Sequence, residues 1–146
     1  MKILYAGFKG KNNPSSQLVS LLGKDQLLLT NSFEGIKRDI DALEDEYDYV
    51  IMFGIDKTLS SVRIEIAAEY QGHLAHTVLS PIQLAERFSD NDVDCTISEE
   101  PTHYLCNDAY YRMLQKMNGK AIFIHIPGNK NMTDVIMAGI VNSLSK

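Results

Sequence analysis

The sequence predicts an α/β fold, a three-layer α/β/α sandwich around a mostly parallel, twisted central sheet. Two observations predict it. Short β-prone apolar runs alternate along the chain with amphipathic segments that have helical spacing. Several of the runs are continuously apolar, as is typical of strands covered on both faces. No repeat or Pro/Gly/Ser-rich linker divides the 146 residues, so we expect a single domain over residues 1–146.

The first half of the chain alternates between predicted strands and predicted helices. The apolar runs that predict strands are "KILYAGF", "DQLLLT" and "YDYVIMFGI". The segments that predict helices are "SQLVSLLGK", with Leu18, Leu21 and Leu22 on one face, and "NSFEGIKRDIDALEDEY", with Phe33, Ile36, Ile40 and Leu43 at helical spacing.

The second half continues the alternation. "SVRIEIAAEY" predicts one strand with Val62, Ile64, Ile66 and Ala68 on one face and Arg63, Glu65, Ala67 and Glu69 on the other. Further strands are expected at "CTIS" and "KAIFIHIP". Helices are expected at "SPIQLAERF", over about residues 102–117, and at "NMTDVIMAGIVNSLSK", whose stripe is Met132, Ile136, Ile140 and Leu144.

Composition and charge exclude several classes of protein. The net charge of −5, with no run of basic residues, argues against a nucleic-acid or anionic-membrane partner. No apolar run approaches the roughly 18–20 residues that cross a bilayer, and "MKILYAGFKG" does not resemble a signal peptide. Two cysteines without an export signal indicate free thiols and a cytoplasmic location.

Cys106 stands one turn inside a predicted helix, in "EEPTHYLCNDAYYRMLQ". Ala109, Tyr110 and Met113 share its helical face, which suits a buried structural cysteine. The unpaired N–H groups and the dipole at a helix N-terminus instead favour the thiolate and are expected to lower the pKa of the thiol. The residues alone leave both interpretations open.

His125 and Glu65 allow the same two interpretations. His125 lies at the carboxyl end of a predicted strand, where the working residues of α/β sheets gather, but a histidine there is often only a hydrogen-bonded core residue. Glu65 shares a strand face with Arg63 and Glu69, which indicates a solvated surface. If both faces of the sheet are covered, however, the carboxylate needs a partner such as His125.

Three other features predict no site. His73 and His76 in "HLAH" have a spacing that metal ligands use on a helix, but no third ligand is apparent, so no metal site is expected. "GFKGKNNPSS" lacks the pattern of a phosphate-binding loop. Cys95 has neither a helix terminus nor a histidine beside it and is interpreted as structural.

Four short motifs follow one another along the chain. They are "GF" and "NPS" within residues 7–15, Gly54 eleven residues before Glu65, "YLCN" at 104–107 and "FIHIP" at 123–127. In this order they resemble the pyroglutamyl peptidase I family, the pyrrolidone-carboxylate cysteine peptidases. The last predicted helix, with "MTDVIMAGI", is similar to the family's last helix as well. The chain is thus identified as a shortened and divergent member.

The resemblance implies a cysteine hydrolase that cleaves an N-terminal pyroglutamyl, or related small acyl, amide through a thioester intermediate. Cys106 would be the nucleophile, His125 its proton acceptor and Glu65 the group that orients the imidazole. The residues expected to bind substrate are Phe8, Asn13 and Ile55. The implied partner is a peptide or small acyl-amide substrate, no metal or organic cofactor is implied, and formation of a homo-oligomer is compatible with the resemblance.

Departures from the family pattern motivate an alternative. The family's first loop supplies two aromatic side chains to the substrate, and here Phe8 matches one of them while "KGKNN" offers no second. Pro101-Thr102 stand where the family has small residues before its nucleophile. The alternative is a non-catalytic domain that binds a small molecule or a protein and keeps the triad without the substrate pocket. A nucleoside- or phosphate-binding α/β domain is a third hypothesis, supported by fold analogy alone.

Overall fold

The computed structural model describes residues 1–44 and 46–145. Its strands are β1 (Ile3–Phe8), β2 (Gln26–Leu29), β3 (Tyr49–Ile55), β4 (Val62–Glu65), β5 (Ala67–Tyr70), β6 (His73–His76), β7 (Cys95–Ser98) and β8 (Ala121–Ile126). Its helices are α1 (Pro14–Ser20), α2 (Phe33–Asp41), α3 (Pro81–Asp90), α4 (Tyr104–Lys116) and α5 (Asp134–Leu144). Asp45 and Lys146, which two of the predicted helices included, lie outside the described residues.

Six strands form one central sheet in the order β2-β1-β3-β8-β4-β7. β2, β1, β3 and β8 are mutually parallel, whereas β4 pairs with β8 in the antiparallel direction and with β7 in the parallel direction. β5 and β6 form a separate antiparallel pair. Helices cover both faces of the central sheet, and the predicted three-layer α/β/α fold with a mostly parallel sheet is confirmed.

The sheet separates two apolar cores. The first core lies under α2 and α4 and includes Ile36, Val50, Met52, Tyr110, Met113 and Phe123. The second core lies under α1, α3 and α5 and includes Leu18, Ile51, Phe53, Phe88, Ile124 and Ile140. Because successive residues of a strand point to opposite faces, β3 and β8 feed both cores in alternation, which explains why their sequences are continuously apolar.

The sequence predicts a single strand over the alternating segment "SVRIEIAAEY", and this prediction is wrong. Val62 and Ile64 face the second core, but Ala68 faces the first. The alternation changes phase at Ile66, whose N–H donates to the Ser98 carbonyl and whose carbonyl accepts from Thr77. At this residue the chain leaves the central sheet and enters the β5–β6 pair.

Three further expectations need correction. "HLAH" is the short strand β6, which the sequence analysis did not identify. Leu21 is the C-cap of α1 and is 58% exposed instead of sharing the buried face with Leu18. Met132 precedes the first residue of α5, although its side chain still packs against the second core.

None of the helices in residues 1–44 and 46–145 combines the length and the hydropathy that a bilayer crossing requires.

Candidate active site

Glu65 and His125 are paired between two neighbouring strands. Both side chains are almost fully buried, at 1% and 2% exposure. His125 Nδ1 lies 3.0 Å from Glu65 Oε2, a hydrogen-bonding distance. The pair forms because β4 is antiparallel to β8, with Glu65 opposite Phe123 and the preceding Arg63 opposite His125. Since both faces of the sheet are covered, the carboxylate is buried and held by partners, and the solvated interpretation of Glu65 is wrong.

Cys106 lies over the same face of the sheet. It is the third residue of α4, and a Cβ added at Gly54 of β3 would lie 2.8 Å from its Sγ and 2.6 Å from Phe123 Cζ. Gly54 is the register partner of His125 on β8, and the His125 and Phe123 rings stand 4.8 Å apart. The structure therefore brings Glu65, Cys106 and His125 to one face of the sheet, with glycine leaving the space that the thiol occupies.

The pKa of the Cys106 thiol is raised, contrary to the expectation from its position near a helix N-terminus. Burial and the negative charges of Glu65 and Asp56 raise it to about 12. Among the described residues, Sγ takes part in no hydrogen bond that would stabilise a thiolate. At neutral pH the resting side chain is consequently a neutral thiol, and desolvation outweighs the helix N-terminus.

Arg63 and Asp56 complete the charged cluster around the buried pair. Arg63 Nε lies 2.5 Å from Glu65 Oε2, and one terminal nitrogen, Nη2, lies 3.0 Å from Asp56 Oδ2. Burial acts to raise the pKa of Asp56, but hydrogen bonds from Thr58 and the Arg63 guanidinium outweigh it and lower this pKa to about 2. The guanidinium thus bridges the side chains of Glu65 and Asp56.

Arg63 and Asp56 are site residues that no sequence motif indicated. Arg63 lies on the strand face that the sequence predicts, but this face is not solvated, and the side chain is only about a quarter exposed. Asp56 directly follows β3, and the rule that working residues gather at carboxyl ends of strands could have indicated it. Arg63 faces His125 because of the antiparallel pairing of β4 and β8, which no local pattern predicts.

The N-terminus of α4 differs from that of the other described helices. Asn13, Ser32, Ser80 and Thr133 cap α1, α2, α3 and α5 with side-chain hydrogen bonds, but His103 makes no such bond at α4. Tyr104, the first helical residue, has φ of 62°, a left-handed conformation that is unfavourable for a bulky side chain. The first N–H groups of α4 therefore lack a side-chain cap two residues from Cys106.

Two side chains of α4 fix the helix to the strands that carry the site. The Asn107 amide accepts from the Glu69 N–H at 2.9 Å and donates to the Glu69 carbonyl at 2.8 Å. The buried Tyr110 hydroxyl donates to the Glu65 carbonyl at 2.8 Å. Cys106 is thus held between a contact to β5 and a contact to the end of β4.

The three residues expected to bind substrate occupy different environments. Phe8 is 6% exposed and packs in the first core, on the face that carries Cys106. Asn13 is the N-cap of α1, and its Oδ1 accepts from the N–H and the hydroxyl of Ser15. The Ile55 side chain packs against the second core, so the structure does not bring it to the thiol.

His73, His76 and Cys95 lie on strands that do not carry this cluster. His73 and His76 belong to β6, and no group of three potential metal ligands occurs within residues 1–44 and 46–145. Cys95 begins β7 and packs against the second core, where burial raises the pKa of its thiol to about 11.

Comparison with solved structures identifies the fold. The pyrrolidone carboxyl peptidase from Thermus thermophilus matches with a TM-score of 0.79 and 17% identity over 98% of both chains. The enzyme from Thermococcus litoralis matches with a TM-score of 0.75 and 21% identity, over 98% of this chain and 91% of that one. The enzyme from Fervidobacterium islandicum matches with a TM-score of 0.74 and 17% identity, over 98% and 96%.

Comparison of the sequence itself gave no match. No protein-family model matches the chain, and a search of curated proteins found none that is similar to it. The chain therefore has the fold of the pyrrolidone carboxyl peptidases over nearly its whole length, at low sequence identity.

Proposed function

We propose that the protein is a cysteine hydrolase that cleaves a pyroglutamyl or related small acyl amide through a thioester. The observation that carries the proposal is the buried Glu65–His125 pair beside Gly54, with Cys106 Sγ lying above that glycine. A nucleophile, a base and a group that orients the base are the three components of triad catalysis. The shared fold of the pyrrolidone carboxyl peptidases supports the same proposal.

The raised pKa of Cys106 means that its proton must be taken up by a base during the reaction. The proton passes to His125 Nε2 as sulfur attacks the carbonyl carbon. The tetrahedral intermediate then collapses: the C–N bond breaks, and the leaving amine takes the proton from the imidazolium. Water, deprotonated by His125, hydrolyses the thioester and releases the acid and the thiol. Glu65 stabilises the imidazolium in both halves of the reaction.

The uncapped start of α4 is suited to the negative oxygen of the tetrahedral intermediate. Backbone N–H groups at a helix N-terminus are oriented donors, and a side-chain cap would occupy them. We therefore assign oxyanion stabilisation to the N–H groups that begin α4, including that of Cys106.

A chromogenic pyroglutamyl amide tests the proposal. We expect the wild-type protein to release the chromophore and C106A to lose all but about 1 part in 10³ or less of the rate, because the covalent intermediate cannot form. C95A is the matched control, since it removes the other thiol and leaves the face of the sheet with Glu65 and His125 intact. Equal rates in C106A and the wild type would overturn the assignment of Cys106.

The second candidate is a binding domain without turnover. It is favoured by the raised pKa of Cys106 and by Phe8, which is buried in the first core instead of lining an open pocket. In that case no acyl amide in a library would be hydrolysed, and a ligand or protein partner would co-purify with the chain. Turnover that depends on Cys106 excludes this candidate.

A further inference from the structure

Arg63 and His125 contact the same oxygen atom of the Glu65 side chain. Its Nε contacts Glu65 Oε2 at 2.5 Å, and His125 Nδ1 contacts the same atom at 3.0 Å. The guanidinium is fixed from its other side by Asp56 Oδ2 at 3.0 Å, and Thr58 in turn donates to Asp56 Oδ1. The orientation of the Glu65 carboxylate is therefore determined by a chain of contacts that begins outside the proposed triad.

These contacts determine which imidazole nitrogen carries the proton. A carboxylate only accepts hydrogen bonds, and Glu65 Oε2 already accepts one from Arg63 Nε at 2.5 Å. His125 Nδ1 must then be the donor at 3.0 Å, which leaves the lone pair on Nε2. Arg63 Nη2 lies 3.4 Å from Nδ1 and can only donate, so it competes with Glu65 Oε2 for this nitrogen. The shorter contact with the carboxylate, at 3.0 Å, favours the proton on Nδ1.

We propose that Arg63 is a positioning residue, which holds Glu65 as a hydrogen-bond acceptor directed at His125 so that the imidazole presents an unprotonated Nε2 to Cys106. The proposal rests on the proposed function, because this tautomer matters only if His125 accepts the thiol proton. A Glu65 that carried a proton could donate it to Nδ1, and the imidazole would then hold its own proton on Nε2, where it cannot act as a base.

The experiment is NMR of the imidazole nitrogens in the full chain, with the His125 signals assigned by comparison with H125Q. We expect the wild-type ring to be protonated on Nδ1 at neutral pH. In R63M we expect the Nε2–H form to be populated, because the Glu65 carboxyl group is no longer held toward Nδ1. R112M is the matched control: Arg112 is similarly part-buried and pairs with Asp108 at 2.9 Å, within α4. It should leave the His125 spectrum unchanged.

A wild-type tautomer in R63M would overturn the proposal. If R63M does not fold, the variant R63K tests the positioning role of Arg63 instead. Lysine keeps the charge, but one ammonium cannot bridge the two carboxylates as the planar guanidinium does. The Nε2–H form should then be populated in part, and a wild-type tautomer in R63K would equally overturn the positioning role.

Catalysis provides a readout that separates this proposal from the proposed function. With the pyroglutamyl amide, kcat of R63M should fall by about hundredfold with KM little changed, since the base is misdirected and the substrate contacts are not. If the wild type hydrolyses no acyl amide, the proposed function fails, while the tautomer of His125 in R63M still decides the role of Arg63.

Discussion

At the scale of single residues, Gly54 determines whether the thiol and the imidazole can share one face of the sheet. Any larger residue would place its Cβ 2.8 Å from Cys106 Sγ and 2.6 Å from Phe123 Cζ, both closer than side chains tolerate. The pairing of Gly54 with His125 means that the displaced sulfur would move relative to the ring. Gly54, which the sequence indicated by its spacing from Glu65, is therefore needed at this position for a steric reason.

We expect G54A to lower stability by about 1–3 kcal/mol, through overpacking, and also to lower the rate at which Cys106 is alkylated or acylated. G7A is the control, because its Cβ would meet the Ser15 carbonyl oxygen at 2.8 Å and Val19 on the other face of the sheet. Urea unfolding should show both variants destabilised, and only G54A should change the reactivity of Cys106. An unchanged rate in G54A would contradict the geometry described for Gly54.

At the scale of elements, α4 is the helix on which the site depends. Asn107 and Tyr110 fix it to β5 and to the end of β4, while its N-terminus has no side-chain cap. Tyr104 begins it with a positive φ, and its 77% exposed ring packs edge-on against Phe33 at 5.6 Å. Backbone strain beside reactive residues persists only where the surrounding contacts hold it, as they do here.

Relief of this strain gives a prediction for the element. Y104G should raise the free energy of unfolding by about 1 kcal/mol, because glycine adopts a positive φ without steric cost. N118G is the control at the far end of α4: Asn118 has φ of 53°, but asparagine tolerates this conformation, so its gain should be smaller. Chemical denaturation measures both. A less stable Y104G would mean that the contact with Phe33 outweighs the strain.

At the scale of the whole molecule, the burial of thiol and phenol groups that are neutral at pH 7 makes the free energy of unfolding depend on pH in the alkaline range. The pKa values of Cys95 and Cys106 are raised from 9.0 to about 11 and about 12, mainly by burial, and that of Tyr110 is raised as well. A group whose pKa is higher in the folded state contributes its full stabilisation below its unfolded pKa. That contribution is lost as the pH rises toward the folded value.

The free energy of unfolding should accordingly fall between about pH 9 and pH 11, by up to about 1.4 kcal/mol per pH unit for each cysteine. Urea unfolding in the presence of a reductant, at a series of pH values, measures the slope. The variant C95A/C106A has lower stability at all pH values because of its cavities, but its slope over this range should be shallower. Parallel curves for the two proteins would show that neither thiol is as buried as the structure describes.

Local patterns in the sequence determined the elements and the residues with reactive chemistry. The spacing of apolar residues, with a period of two in strands and 3.6 in helices, depends on neighbouring residues alone. The bounds predicted for β3, β8, α3 and α4 are therefore close to those observed. The order of Glu65, Cys106 and His125 along the chain, and the three-layer fold, likewise follow from the amino-acid sequence by itself.

The tertiary structure alone decided which of these side chains meet and in which charge state. The phase change at Ile66, the antiparallel pairing that places Arg63 opposite His125, and the carboxylates near Cys106 all depend on residues far apart in the chain. A helix N-terminus predicted a more acidic thiol, but burial beside Glu65 and Asp56 made it less acidic. Periodicity is a local property, whereas desolvation and charge pairing arise only when distant strands come together.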